Sequence, residues 1–229
     1  MKLRPKVAAA CLLGALLAWH RHATVVSEPG GRFEDPDAMF HARRAMRAVA
    51  ERTLLPPATD RFENFPDGGQ ALWPPLHDAT LALLARAGGS TREDPARGMT
   101  TAAALPVLEL VLAVIAAAAI ARRLGGGPAG AAAAALALAL TTAVVRRAAF
   151  GEIDHNLTEV LFGLCLLGYV SWISSNEKKP GNVSTRPAAR FPAASVARDV
   201  AGAVGWAALV LVSLGFYTGL VMSAGVVGA

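Results

Sequence analysis

The chain has 229 residues, of which 54% are hydrophobic and 17% charged, with a mean hydropathy of +0.41. A soluble domain carries roughly 25% charged residues, and here the apolar residues are gathered into blocks, so the pattern is that of a membrane protein. The net charge of +5 does not point to nucleic acid: the basic residues are scattered around the ends of the apolar blocks without aromatic interleaving, a distribution that meets anionic lipid.

Five apolar blocks stand out, at residues 7–26, 102–121, 129–145, 157–174 and 200–227. A membrane-crossing helix needs about 20 mostly apolar residues, and the last four qualify. His20-Arg21-His22 interrupts the first. Lys2, Arg4 and Lys6 would also suit the basic start of a cleaved signal peptide. However, no small-residue cleavage site follows the apolar core, and Ala8-Ala9-Ala10-Cys11 has too little apolar sequence before it to be a lipidation signal. The block is read as an uncleaved anchor, residues 1–26. The expected fold is all-α, a polytopic membrane helix bundle of about five spans with helices in the first outer loop. Cys11 and Cys165 fall inside apolar blocks and read as small core residues.

With the N-terminus cytoplasmic, Lys2, Lys6, Arg122, Arg123, Lys178, Lys179, Arg186, Arg190 and Arg198 all fall on the cytoplasmic side, as the positive-inside rule requires. Residues 27–101 then form a long non-cytoplasmic loop, 102–175 a membrane hairpin and a following span, 176–199 a cytoplasmic linker, and 200–229 a last span. Arg146-Arg147 stands against the rule in a short outer loop, and is read as kept there for a purpose. Asn182-Val183-Ser184 is a glycosylation sequon on the cytoplasmic side, and Asn156-Leu157-Thr158 is one too close to the membrane to act as an acceptor.

Two acidic motifs share the outer face on this topology. Asp35-Pro36-Asp37 reads first as a helix start, with Asp35 as cap, proline at the first helical position and Asp37 in the first turn. The alternative is cation binding. The helix that follows carries Arg43, Arg44, Arg47 and Arg52, either a solvated face or an anion-attracting one. Leu55-Pro56-Pro57 ends it, Pro66-Asp67-Gly68-Gly69 is a turn, and Trp73-Pro74-Pro75-Leu76 opens a second helix over 77–87. His77 and Asp78 read there as packing and capping residues. The second motif, Gly151-Glu152-Ile153-Asp154-His155-Asn156, sits between two apolar blocks, with Glu159 five residues after Asp154. Glu109, an acid inside an apolar run, is a second-tier candidate. Gly125-Gly126-Gly127-Pro128 is a tight turn, and the small-residue block after it is expected at the centre of the bundle. There is no phosphate-binding loop, dinucleotide fingerprint, paired-cysteine motif or nucleophile elbow.

In order and spacing these segments resemble the start of an oligosaccharyltransferase catalytic subunit, the membrane enzyme of protein N-glycosylation. Asp35-Pro36-Asp37 with His41-Ala42-Arg43 resembles the first-loop acidic motif, and residues 66–76 a later part of that loop. Arg147 stands seven residues before Asp154, as an arginine does in bacterial members. Residues 151–156 with Glu159 resemble the archaeal-type Gly-x-x-Asp-His-His-x-x-Glu pattern. The match covers most of residues 1–175.

The resemblance implies a GT-C-like membrane fold and transfer of an oligosaccharide from a polyprenyl (pyro)phosphate carrier to Asn in Asn-x-Ser/Thr, on the non-cytoplasmic face, with Mn2+ or Mg2+. It carries Asp37 and Asp154 over as metal ligands, and Asn156 as a third where the family has Asp or His. Arg147 would touch the acceptor or the substrate anion. Asp35, Arg43, His155 and Glu159 fall to substrate binding, and His155 would replace Asn156 at the metal only with a different turn of the loop. Family members are much longer. Their further spans, the outer loop with a catalytic Glu and the Trp-Trp-Asp domain are not found in these 229 residues, so the chain is expected to be an N-terminal portion, inactive alone. Two other readings stand beside it: another polyprenyl-phosphate-sugar-dependent glycosyltransferase, which generally lacks the Gly-x-x-Asp-His feature, and a non-enzymatic membrane scaffold or accessory subunit whose acids are helix caps.

Overall fold

The computed structural model of the protein describes residues 4–22, 33, 35–60, 62, 66–70 and 75–177. Prolines mark where several helices begin. Pro5 opens α1 (Pro5–Ala18) behind an extended Arg4, and Pro36 opens α2 (Pro36–Ala50) behind an extended Asp35. The fixed φ and missing N–H of proline suit a first helical turn. A two-residue antiparallel ribbon follows, β1 (Thr59–Asp60) with β2 (Gly69–Gln70), Thr59 facing Gln70 and Asp60 facing Gly69. Then come α3 (Pro75–Ala87), the single turn α4 (Met99–Ala102), α5 (Leu105–Ala121), α6 (Gly127–Leu140), the short α7 (Thr142–Arg147) and α8 (Asn156–Glu177).

Among the described residues one helical stretch, Met99–Leu140, is long and apolar enough to cross a membrane. It reverses at Gly125, whose φ of 91° lies in the left-handed region that glycine enters without a Cβ clash. Helices α5 and α6 therefore pack along one another as a hairpin. Helix α1 and the Asn156–Ser171 part of α8 are shorter apolar helices. The described residues thus give an apolar helical bundle; the block at 200–227, the linker before it and Trp73 lie outside them.

Two buried clusters divide the fold. One joins α1, α5 and α6, with Leu110 and Val114 fully buried and Ala131, Ala135 and Ala139 lining α6. The other joins α2, α3 and α4 through an alanine stripe (Ala38, Ala42, Ala45, Ala48) packed against Leu81, Ala82, Ala85 and Met99. Burying a side chain such as Leu81 or Leu110 contributes about 1.5–3 kcal/mol. Among the described residues helix α6 packs on one side, whereas its composition predicts a central place. It buries only the narrow Ala131-Ala135-Ala139 stripe, one face at i, i+4 and i+8, while Leu136 and Leu140 are exposed. Alanines on that face let α1 and α5 come close.

Candidate functional site

The loop between α7 and α8 spans the seam between the two clusters. Phe150 belongs to the cluster of α1, α5 and α6, with its ring edge-on to Trp19 at 4.6 Å and to His22 at 4.7 Å. Its backbone N–H donates to the Ala18 carbonyl at 2.8 Å, and that of Gly151 to the Ala103 carbonyl at 2.9 Å. Gly151 turns the chain at φ 89°, a conformation in which a Cβ is strained. Three residues after Phe150, Ile153 is fully buried in the other cluster. Asp154 is fixed directly after this anchor and is itself buried.

The two oxygens of Asp154 have different company. Oδ2 faces Arg147 Nη1 at 3.6 Å and accepts from the Asn156 side-chain amide. Oδ1 accepts from the His155 backbone N–H at 2.7 Å and lies 2.7 Å from His155 Nδ1 and 3.9 Å from His41 Nε2. Burial opposes ionisation of Asp154, but the bond to His155 and the charges of His155 and His41 outweigh it, so its carboxyl titrates below the usual range. Burial likewise opposes the charge on His155, and is outweighed by Asp154, Glu159 and Asp37, which raise it above the ordinary histidine value.

Behind the two imidazoles stand two further carboxylates. His41 is fully buried, and its Nδ1 lies 2.5 Å from Asp78 Oδ1; the other Asp78 oxygen accepts from Arg44 Nε at 2.6 Å. The remaining His41 nitrogen, Nε2, is 3.4 Å from His155 Nδ1. On the far side of His155, Nε2 lies 3.3 Å from Glu159 Oε1, an ion-pair contact rather than an aligned hydrogen bond. One nitrogen from each ring and one oxygen of Asp154 lie within 4.8 Å of one another, a set of donors able to hold a metal ion.

A second buried chain supports the loop. His77 Nε2 donates to the Ile153 carbonyl at 3.1 Å, and its Nδ1 lies 3.3 Å from the Thr158 hydroxyl, which donates to Glu109 Oε1 at 2.5 Å. Burial, with help from the nearby His41, lowers His77 from 6.5 to about 4, so its ring is neutral. The second-tier candidate Glu109 therefore lies beneath the loop carrying Asp154.

The predicted site residues separate into two groups. Arg147, Asp154, His155, Asn156 and Glu159 come together. Asp37 is exposed in the first turn of α2, and its charge reaches His155. Asp35 is the helix cap, accepting from the N–H groups of Asp37 at 2.9 Å and Ala38 at 3.3 Å. Arg43 pairs with Asp60 at 2.7 Å and covers the Phe62 ring at 4.5 Å, lining a separate cleft of about 390 Å³ with Arg44, Arg47 and Glu51. The α2 arginines are thus matched by acids rather than free for an anion: Arg44 with Asp78, and Arg47 with Glu51 at 2.7 Å. Sequence reading missed His41 and Asp78 as site residues. His41 lies between Ala38, Ala42 and Ala45, and a histidine on so apolar a helix face was the available signal.

No protein-family model and no curated protein sequence matches the chain. Among solved structures it is similar to the oligosaccharyltransferase of Archaeoglobus fulgidus. The likeness holds for the apo form (TM-score 0.65, 20% identity) and for the form tethered by a disulfide to an acceptor peptide containing the NVT sequon (TM-score 0.65, 19% identity). It holds equally for AglB from that organism in complex with an inhibitory peptide and a dolichol-phosphate (TM-score 0.66, 20% identity). Each comparison covers 81% of this chain and 21% of the other. At such identity the likeness is one of fold: the chain is built like about a fifth of an archaeal oligosaccharyltransferase.

Proposed function

We propose that the chain is part of an oligosaccharyltransferase catalytic subunit, a metal-dependent glycosyltransferase acting from the membrane. It would transfer a polyprenyl-(pyro)phosphate-linked oligosaccharide to Asn in Asn-x-Ser/Thr of an acceptor polypeptide. The observation that carries the reading is Asp154, with Arg147 and Asn156 on one oxygen and two imidazoles on the other, within a fold like that of the archaeal enzymes. The neighbour structures hold a dolichol-phosphate and an acceptor peptide, which suits the same two partners here. The reading places the chain as a multi-pass protein of about five spans, N-terminus cytoplasmic, with the site on the non-cytoplasmic face.

The donors around Asp154 fit a divalent cation, since an ionised carboxylate and two imidazole nitrogens converge there. The resemblance names Mn2+ or Mg2+, with Asp37, Asp154 and Asn156 as its holders. When bound, such an ion supplies positive charge to stabilise a leaving phosphate. Arg147, half exposed beside Asp154, is placed to pair with a phosphate or with the acceptor. Asp154 stays ionised through its bond to His155, and Glu159 orients that ring. The chain spans about a fifth of the length of the proteins it resembles, and the residues described here serve the metal and phosphate side of the reaction.

Binding of a polyprenyl-phosphate sugar to the full chain in lipid nanodiscs tests the proposal. Retention that requires Mn2+ and falls at least tenfold in Arg147→Ala is expected. Equal retention with chelator, and in that variant, would overturn it.

A further inference from the structure

We infer that the metal-binding unit of this chain is a two-histidine, one-carboxylate site, formed by His41 Nε2, His155 Nδ1 and Asp154 Oδ1 and suited to a borderline transition-metal ion in preference to Mg2+. The inference rests on the reading of Asp154 as the metal anchor and changes its companions.

Distances come first. Donor atoms sharing an ion at about 2.0–2.2 Å stand roughly 3–3.5 Å from one another. The three donor pairs here are 2.7 Å (Asp154 to His155), 3.4 Å (His155 to His41) and 3.9 Å (His41 to Asp154), which bracket that spacing. All three residues are buried.

The outer contacts are the second line. A metal-bound imidazole commonly gives its other ring N–H to a carboxylate, which sets the tautomer and aims the lone pair at the ion. Each ring has a carboxylate on its outer side, hydrogen-bonded at His41 and in ion-pair contact at His155. Asp78 lies against Nδ1 of His41, leaving Nε2 toward the cluster, and Asp78 is itself held by Arg44. Glu159 lies against Nε2 of His155, leaving Nδ1 toward the cluster. Each ring thus presents to Asp154 the nitrogen that its outer carboxylate does not face. Packing alone has no need to orient one ring from α2 and one from the loop before α8 in this way.

Position 156 is the third line. An Asn there offers only a weak neutral oxygen, and its amide is directed at Asp154 Oδ2. His41 enters from α2 and takes the place that residue leaves weak. Two imidazoles and one carboxylate favour the Zn2+, Co2+ and Fe2+ class, whereas Mg2+ takes oxygen donors and keeps its waters.

The test is a Co2+ titration of the full chain in nanodiscs, followed by d–d absorption, with competition by Zn2+ and by Mg2+. Zn2+ is expected to displace Co2+ at comparable concentration, and Mg2+ to fail at hundredfold excess. His41→Gln should weaken binding at least 100-fold, Glu159→Gln about 10-fold, and His20→Gln, at an exposed ring, not at all. A measurement on the unaltered chain guards against misfolded variants: pulsed EPR of the Mn2+-loaded protein should show coupling to two histidine nitrogens. Absence of nitrogen coupling, or displacement of Co2+ by Mg2+ as readily as by Zn2+, overturns the inference. If binding is lost only in Asp37→Asn and Asp154→Asn, the inference fails while the proposed function stands. Histidine-bound metal without metal-dependent retention of the polyprenyl-phosphate sugar has the reverse meaning.

Discussion

The Arg147 guanidinium stands 3.6 Å from Asp154 Oδ2 and 3.7 Å from Glu152 Oε1, although half of its side chain faces solvent. A pair of this kind, exposed on one side, is worth about 0–1 kcal/mol to the fold. Arg147→Ala is therefore expected to leave the thermal midpoint within a degree or two while reducing retention of a polyprenyl-phosphate sugar at least tenfold. A large loss of stability with retention unchanged would make Arg147 a structural residue.

Asp78 is the opposite case. It is fully buried and serves His41 and Arg44 at once. Removing one member of a buried charged set leaves the other without compensation and costs about 3–5 kcal/mol. Asp78→Ala should unfold at much lower temperature in chemical denaturation or calorimetry. A melting curve like that of the parent chain would show that water can enter and solvate Arg44.

His77 predicts a pH dependence. Its folded value, about 4, lies below the ordinary 6.5, so between these values the unfolded chain binds the proton and the folded chain does not. Stability from this residue is full above 6.5, declines as the pH falls, and is lost below about 4. The span corresponds to about 3 kcal/mol. Comparing the parent chain with His77→Gln at pH 7.5 and pH 4.5 isolates it from the opposite trend of His155: the variant should lose less stability on acidification. Parallel losses would contradict the assignment.

Gly151 tests the loop. A side chain at φ 89° costs about 1–2 kcal/mol. Gly151→Ala should lower stability by about that amount and weaken Co2+ binding through displacement of Asp154. Unchanged metal affinity would mean that the loop absorbs the strain before it reaches Asp154.

Much of the local structure was legible in the sequence because local rules decide it. Asp35 caps α2, prolines open several helices, and Gly125 reverses the hairpin, each for a reason held within a few residues. The grouping of Arg147, Asp154, His155, Asn156 and Glu159 was also readable, since they lie at the end of α7, on the loop after it and in the first turn of α8. The pairing of His41 with Asp78 was not: it joins residues 37 positions apart on two helices, and no spacing rule connects them. Asp78 at a helix start has an ordinary explanation as a cap, and that local explanation concealed the tertiary one. The arginines of α2 show the same limit. Their number suggested an anion surface, while Asp60, Asp78 and Glu51, brought in by folding, engage Arg43, Arg44 and Arg47.

Phe150 and Ile153 are rooted in different packing clusters with two residues between them. So short a tether has no slack. If α2 and α3 tilt or slide against the α5–α6 hairpin, part of the displacement falls on this segment, and the neighbouring Asp154 turns with it. Asp154 therefore acts as a strain gauge between the two clusters: the spacing of His41 from His155 reports how α2 and α3 sit against the α5–α6 hairpin.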